Sequence, residues 1–365
     1  MRISRIDLRG LPVLSDRIHA RKYTITRCKM LALLVVAVSV AALAIPVSAV
    51  SVPRHIGINY LTLYQKYDTP YSRLQHDFAL FAKNGINTIA ISLYWYRIEL
   101  SEGAYDSQFI SNVTRVVKIA ETFGLSVMID FHTLIGNSDA WSNPPYVGSG
   151  MNLITKPTVA ADYVAMVSWA VTQLRGLPNI WAYSVLNEPW YWPLTPLSKS
   201  NWINLIVQLT RTVKAIDPKP VTVRFIGDIF ERDWTWNATL IRSLDFLSIN
   251  AYLSVNSSGP NYWNTWSNLR AGLGDIVQHA SSLRTKVQIT ELGFPTPNDA
   301  LQEAVYNQYS DVFKTLPNLS GWLSWGWDSS YDPNHPSWSA IGEYSIDARS
   351  TGIPRPAFYV LYSTG

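Results

Sequence analysis

Cysteine is nearly absent from this chain, which narrows the chemistry that the sequence can support. Cys28 is the only cysteine among 365 residues. It lies before the part of the sequence that has the pattern of a folded domain. A domain that begins near residue 51 would therefore contain neither a disulfide nor a reactive thiol, a composition compatible with an oxidising exterior.

Signals for metals, dinucleotides and nucleic acids are missing as well. The six histidines are scattered without the spacing of zinc ligands, and no Gly-x-Gly-x-x-Gly turn follows the first predicted strand. The formal net charge of +4 arises near the N-terminus, where eight basic and two acidic residues precede residue 30, and the remainder carries about −2. We therefore expect no metal, no cofactor and no nucleic-acid partner.

Residues 1–50 have the pattern of a targeting segment. A basic segment is followed by an uncharged apolar run over residues 30–50, and Val47-Ser48-Ala49 has the small-residue spacing of a signal-peptidase site. The apolar run is also nearly long enough to span a bilayer with its positive end in the cytoplasm. A signal peptide and an uncleaved membrane anchor are thus both open, and either predicts a protein secreted or anchored to the outer face of the cell membrane.

Residues 51–365 predict one large α/β domain, which we expect to be a monomer. Apolar, β-branched runs alternate with helical patterns, and no linker rich in Gly, Ser or Pro interrupts them. Eight such units favour a (β/α)8 TIM barrel over an open doubly wound sheet. The predicted strands are 55–60, 88–93, 126–131, 180–186, 221–226, 246–251, 286–290 and 321–325. The predicted helices are 71–83, 107–123, 159–174, 200–215, 237–242, 263–281, 299–315 and 356–362.

Two glutamates stand at the ends of predicted strands. Glu188 precedes Pro189, and Glu291 is followed closely by Gly293, so each strand ends at its carboxylate. Desolvating a carboxylate is costly, and a strand end that carries one is a candidate functional position. The C-terminal ends of barrel strands open on one rim, so the pair is predicted to face one cleft, as hydrolysis of a glycosidic bond requires.

Three motifs occur in a specific order along these strands. Asp130-Phe131-His132 ends the third predicted strand, Asn187-Glu188-Pro189 ends the fourth, and Thr290-Glu291-Leu292-Gly293 ends the seventh. Their order and spacing resemble the retaining β-glycosidases of clan A, most closely the cellulase-like glycoside hydrolase family 5. The resemblance covers nearly all of residues 55–362.

The resemblance implies separate roles for the two glutamates. Glu188 would act as general acid and then as general base, while Glu291 would be the nucleophile that forms a covalent glycosyl-enzyme. This implies a retaining hydrolase that cleaves a β-linked polysaccharide or oligosaccharide, either a glucan or a mannan, by double displacement. The chemistry needs Glu188 protonated and Glu291 ionised.

The resemblance and the abundance of aromatic residues also predict sugar contacts. Asn187 would bind the sugar 2-hydroxyl, Tyr252 would orient the nucleophile, and Trp325 would form the floor under the sugar, with Trp322 and Trp327 as alternatives to it. His132 and Tyr252 could equally be structural hydrogen-bonding groups. The expected substrate-binding residues are Asn187, His132, Tyr252, Trp325, Trp190 and Trp95.

Two positions depart from the family pattern. Ala90 stands where the family has an arginine in strand two, with Arg97 further along as a possible substitute. Asn250 stands where a histidine often precedes Tyr252 by two residues. The missing arginine motivates one alternative, a non-catalytic carbohydrate-binding barrel; a transglycosylase that uses the same carboxylate pair is another.

Overall fold

The computed structural model describes residues 54–60, 69–133, 143–148, 152–189, 196–227, 237–253, 263, 265–294, 296, 298–327 and 353–362. The proposed targeting segment at residues 1–50 and Trp190 lie outside these ranges. Among the residues within them, no helix is long and apolar enough to cross a membrane.

Ten strands occur in the described part of the chain. Eight of them pair in parallel into a closed barrel, in the order β1-β10-β9-β8-β7-β6-β5-β2, and β3 and β4 form a small antiparallel pair. This arrangement confirms the predicted (β/α)8 TIM barrel. The strands are β1 (His55–Asn59), β2 (Thr88–Leu93), β3 (Glu99–Ser101), β4 (Ala104–Tyr105), β5 (Ser126–Phe131), β6 (Ile180–Asn187), β7 (Val221–Ile226), β8 (Leu247–Asn250), β9 (Val287–Glu291) and β10 (Leu319–Trp325).

Helices connect the barrel strands, and several begin at a side-chain cap. Asp106 accepts a hydrogen bond from the Phe109 amide at 2.9 Å, and Asn298 accepts one from the Leu301 amide at 3.0 Å. Such caps satisfy amides that lack a partner within the helix. The helices are α1 (Tyr71–Lys83), α2 (Trp95–Ile98), α3 (Ser107–Thr122), α4 (Asn152–Thr155), α5 (Pro157–Leu174), α6 (Pro196–Ile216), α7 (Ala238–Ser243), α8 (Trp266–Ser282), α9 (Asp299–Lys314) and α10 (Pro356–Tyr362).

The barrel strands are buried along nearly all of their length because both of their faces are covered. All six residues of β2 and all six of β7 are buried, since one face packs on helices and the other fills the barrel. At the N-terminal ends of the strands, the His55 ring stacks on Trp181 with centroids 3.7 Å apart. Burial lowers the pKa of His55 to about 4, so the ring is neutral, and its Nδ1 lies 3.0 Å from Thr88 Oγ1.

The register of the strands brings polar residues together at the opposite end. In the ladders, Asn250 lies opposite Glu291, and Asn187 lies opposite Arg224. Parallel neighbours end at the same level, so their last side chains share one rim. The fold thereby collects the candidate site from strands that are far apart in sequence.

A glycine in β1 tests how closely the barrel strands pack. A Cβ atom on Gly57 would lie 2.1 Å from the Thr88 carbonyl oxygen, whereas one on Gly274, in α8, would meet nothing within 4 Å. We expect Gly57→Ala to lower the free energy of unfolding by about 1–3 kcal/mol. The control Gly274→Ala should raise it by about 0.5–1 kcal/mol because alanine favours helix. Urea unfolding measures both, and equal effects would contradict the close approach.

Candidate active site

Two carboxyl groups lie at the C-terminal rim of the barrel. Glu291 is the last residue of β9, the seventh barrel strand in chain order, and Glu188 directly follows β6, the fourth. Glu291 is 3% exposed, and Glu188 is partly exposed. Asn250 is the ladder partner of Glu291, and its Nδ2 donates to Glu188 Oε1 at 3.0 Å. One asparagine is thus next to both glutamates, which therefore lie close together at the rim.

Each oxygen of the Glu291 carboxylate accepts a hydrogen bond. Arg224 Nη1 donates to Oε1 at 3.2 Å, and Tyr252 Oη donates to Oε2 at 2.8 Å. Arg224 is fully buried and Tyr252 is nearly so. A cation and a hydroxyl that both donate to a carboxylate favour its ionised form and fix its orientation.

Glu188 has a different environment. Its Oε1 accepts from the Asn250 amide, and its backbone N–H donates to the Arg224 carbonyl at 2.8 Å. Its φ of 42° lies in the left-handed region, which costs a residue with a side chain roughly 1 kcal/mol or more. The surrounding contacts hold this conformation, an outlier of the kind that concentrates at functional sites.

Both carboxyls have raised pKa values, and their contacts indicate which one holds a proton. Burial raises the pKa of Glu188. Burial, followed by the charge of Glu188, raises the pKa of Glu291 well above its usual range, against the opposing charge of Arg224. Each charge disfavours the other, so the pair retains one proton over a range of pH. The pKa of Glu291 is raised more than that of Glu188, but Glu291 accepts from two donors, one of them cationic, whereas the Glu188 side chain accepts from a neutral amide. On these contacts we assign that proton to Glu188.

A chain of polar contacts connects the two glutamates through the barrel strands. Asn250 Nδ2 also lies 3.4 Å from Asn187 Oδ1, and Asn187 Nδ2 lies 3.3 Å from His132 Nε2. His132 Nδ1 lies 2.8 Å from Asp130 Oδ2, and the same oxygen is 3.2 Å from Arg224 Nη1. Since the Asn187 amide donates to Nε2, we assign the His132 proton to Nδ1, where it bonds to Asp130.

Asp130 is the second anion of this chain. Burial alone would raise its pKa, but the charge of Arg224 and the hydrogen bond from His132 lower it below the usual value. Asp130 is therefore ionised and orients the imidazole, as a carboxylate beside a histidine commonly does. The position of His132 in the cleft thus depends on Arg224 as well.

Trp325 is one of three candidate tryptophans for the floor under the sugar, and the structure brings it to the rim. It ends β10, is 7% exposed, and its ring lies 5.7 Å from that of His132. The alternatives lie elsewhere: Trp327 is fully buried and packs edge-on against Phe81 at 4.8 Å, while Trp322 stacks on Phe313 of α9 at 5.5 Å. Only Trp325 of these three lies beside the predicted sugar-binding residues.

Trp95 does not take its expected place in the cleft. Its side chain is fully buried, its ring packs against Tyr163 at 5.0 Å, and its indole N–H donates to Glu99 Oε2 at 2.5 Å. Glu99 also accepts from the Gly103 amide at 2.6 Å. The ring turns into the layer between barrel and helices, so we correct its role from sugar contact to support of the β3–β4 turn.

Arg224 was missed by the sequence analysis, although a signal for it exists. It is the one charged residue within the apolar run of β7, Val221–Ile226. A charge buried in a strand needs a partner of opposite sign, which could have marked it. Ala90 occupies β2 among apolar neighbours, with Met128 beside it. In the part of the chain that the structure describes, no group of three or more His, Cys, Asp or Glu residues could hold a metal ion.

A (β/α)8 barrel with two glutamates at its C-terminal rim has the architecture of the clan A glycosidases. Residues 56–331 match the family model described as cellulase, glycosyl hydrolase family 5. The chain belongs to glycosyl hydrolase family 5. Comparison with curated protein sequences finds no significant match.

Several solved structures share this fold at low sequence identity. The exo-β-1,4-mannosidase Op5Man5 from Opitutaceae bacterium strain TAV5 has a TM-score of 0.69 and 17% identity, over 85% of this chain and 59% of that one. The GH5_18 protein from Bifidobacterium longum subsp. longum has a TM-score of 0.67 and 16% identity, over 84% of this chain and 78% of that one. The GH5_18 protein from Streptomyces cattleya, in complex with GlcNAc, has a TM-score of 0.65 and 16% identity, over 85% of this chain and 79% of that one.

The raised pKa of Glu188 predicts a pH-dependent stability. A carboxyl with a raised folded pKa favours folding below its unfolded pKa, about 4.3, and loses that contribution as pH rises through the folded value. Glu188→Gln, which cannot ionise, should therefore raise the free energy of unfolding more at about pH 7 than at about pH 4. Urea unfolding at both pH values measures this, with Glu121→Gln on the exposed surface of α3 as control. A larger gain at the lower pH would contradict the raised pKa.

Proposed function

We propose that this family 5 protein is a retaining β-glycosidase that hydrolyses a β-linked glucan or mannan, as a polysaccharide or an oligosaccharide. The observation that carries the proposal is that the two carboxyls accept hydrogen bonds from different kinds of donor. Glu291 accepts from a buried cation and a hydroxyl, and the Glu188 side chain accepts from a neutral amide. Double displacement needs one ionised nucleophile and one protonated acid.

In the first step, a Glu291 oxygen attacks the anomeric carbon of the sugar. The bond between that carbon and the glycosidic oxygen breaks, and Glu188 gives its proton to the departing oxygen. Glu291 is then esterified to the sugar and carries no charge. Asn187, fixed by His132 and Asn250, is placed to bind the sugar 2-hydroxyl, a contact that strengthens in the transition state.

In the second step, Glu188 acts as the base. It takes a proton from water, the water oxygen attacks the anomeric carbon from the face that the leaving group left, and the bond to Glu291 breaks. Two displacements at one carbon retain its configuration. Glu188 is again protonated and Glu291 again ionised, so the site is ready for a further cycle.

The sugar class is a proposal that rests on the family and on the rim. The side chain of Trp325 lies beside His132 and can form the floor on which a pyranose ring stacks. Solved structures of the same fold include an exo-β-1,4-mannosidase and a β-glucosidase, so both β-mannosides and β-glucosides belong in a substrate panel. The non-catalytic alternative was motivated by the missing arginine, and the contact from Arg224 to Glu291 argues against it. Sugar binding without turnover across the substrate panel would favour it.

We also propose that the protein is exported, with residues 1–50 as a signal peptide or an anchor; the monomeric state expected from the sequence stays a prediction. The support is the basic and then apolar pattern of this segment. Sequencing the N-terminus of the mature protein separates the two possibilities. A new N-terminus near residue 50 indicates cleavage, and an intact one in the membrane fraction indicates an anchor.

Substitution of each glutamate tests the assigned roles. Glu291→Gln should abolish hydrolysis of every aryl β-glycoside. Glu188→Gln should lower kcat/KM by about 10²–10⁴-fold for a poor leaving group and much less for an activated phenol, which leaves without a proton. Glu121→Gln, exposed on α3, should keep the wild-type rate. If Glu291→Gln retains hydrolysis, the nucleophile is assigned wrongly.

Product stereochemistry tests retention directly. Azide replaces water without needing a base, so Glu188→Ala with azide and an activated β-glycoside should give the β-glycosyl azide. Nuclear magnetic resonance of the product measures the anomeric configuration. An α-product from this variant would exclude double displacement. A high concentration of a sugar acceptor, with the wild-type protein, distinguishes a hydrolase from a transglycosylase by its products.

A further inference from the structure

We propose that Arg224 is the residue that positions the nucleophile Glu291 and favours its ionised form, in place of the arginine that the family carries at the position of Ala90. The proposal rests on the function proposed above. It assigns a role to a residue of the fifth barrel strand that the family pattern does not identify.

The geometry places one buried cation between two carboxylates. Arg224 Nη1 is 3.2 Å from Glu291 Oε1 and 3.2 Å from Asp130 Oδ2, and the Arg224 side chain has no exposed surface. β8 separates β7 from β9, and β6 separates β7 from β5. The guanidinium therefore crosses the barrel interior and joins three strands that are not ladder neighbours.

Neither Ala90, at the position of the family's arginine, nor Arg97 makes this contact with Glu291. Ala90 presents a methyl group within an apolar cluster that includes Met128 and Leu323. Arg97, the substitute considered from the sequence, lies with its guanidinium 4.9 Å from the centre of the Tyr96 ring. Arg224 approaches Met128 instead, with Nη2 3.9 Å from its sulfur. The cation that reaches Glu291 thus comes from β7 and not from β2.

The charges around Glu291 explain why it needs this cation. The titratable groups that influence it are Glu188, Asp130, Tyr252 and Arg224. Two of them are carboxyls that disfavour its ionisation, and Tyr252 contributes only a neutral hydroxyl. Without Arg224, burial and the two neighbouring carboxyls would raise the pKa of Glu291 further, so a smaller fraction of the nucleophile would be charged at a given pH.

Arg224 therefore acts through Glu291 and does not itself need to contact the sugar. Its loss should lower kcat/KM and move the acidic limb of the pH profile, which reports ionisation of the free enzyme's essential carboxylate. Through Asp130 and His132, the same cation orients Asn187. If Arg224 had a purely structural role, its substitution would lower the fraction of folded protein and leave the acidic limb of the pH profile in place.

The experiment compares the pH profiles of kcat/KM on an activated aryl β-glycoside for Arg224→Met and Arg224→Lys. Arg224→Met should lose on the order of 10²–10³-fold in kcat/KM, as for other preorganised charged donors, and its acidic limb should shift to higher pH. Arg224→Lys retains the charge, so its limb should stay at the wild-type position while kcat/KM falls less. Arg211→Met, exposed on α6, is the matched control and should behave as wild type.

An unshifted limb in folded Arg224→Met, or a rate within about threefold of Arg211→Met, would overturn the proposal. If Arg224→Met does not fold, Arg224→Lys is the deciding variant. Its charge is retained, so an acidic limb of the pH profile that still moves would also overturn the proposal. The double variant Ala90→Arg/Arg224→Met should regain at least about tenfold in kcat/KM over Arg224→Met, and no recovery would refute the equivalence of the two positions. The function proposed above has a separate test: hydrolysis that persists in Glu291→Gln would contradict it, whatever the Arg224 variants show.

Discussion

The Arg224 guanidinium lies buried between the carboxylates of Asp130 and Glu291, and the arrangement of the site depends on this ion pair. A charge taken out of water is tolerated only when opposite charges and hydrogen bonds surround it. Here the two carboxylates come from β5 and β9, on either side of β7. The same contact that compensates the cation therefore also connects strands across the barrel interior.

From this ion pair, polar contacts extend in two directions. One leads through Asp130 and His132 to Asn187, and so to the expected position of the sugar 2-hydroxyl. The other leads to Glu291, whose second oxygen is held by a tyrosine. Asn250 closes the network at Glu188. The two carboxyls thus have different hydrogen-bond donors at one rim, and the proposed mechanism uses this difference to separate the acid from the nucleophile.

Much of the fold was predictable because the physical pattern is local. β2, β5 and β7 have the predicted bounds, since short apolar runs bounded by turn signals identify buried parallel strands. The register that places Asn250 opposite Glu291 depends on strands some forty residues apart in sequence, and no local pattern specifies such a pairing. Trp95 shows the same limit: a tryptophan beside a strand end has the same sequence pattern whether its ring faces a cleft or the core.

The sequence alone determined the alternation of strands and helices, the position of the two glutamates at strand ends and the absence of an arginine at Ala90, because each is a property of neighbouring residues. The tertiary structure alone brought Arg224 to Glu291, where we propose that it replaces that arginine. Closing the barrel brings the middle of β7 within 3.2 Å of the end of β9. Which charges compensate each other in the interior is settled by this closure and not by sequence distance.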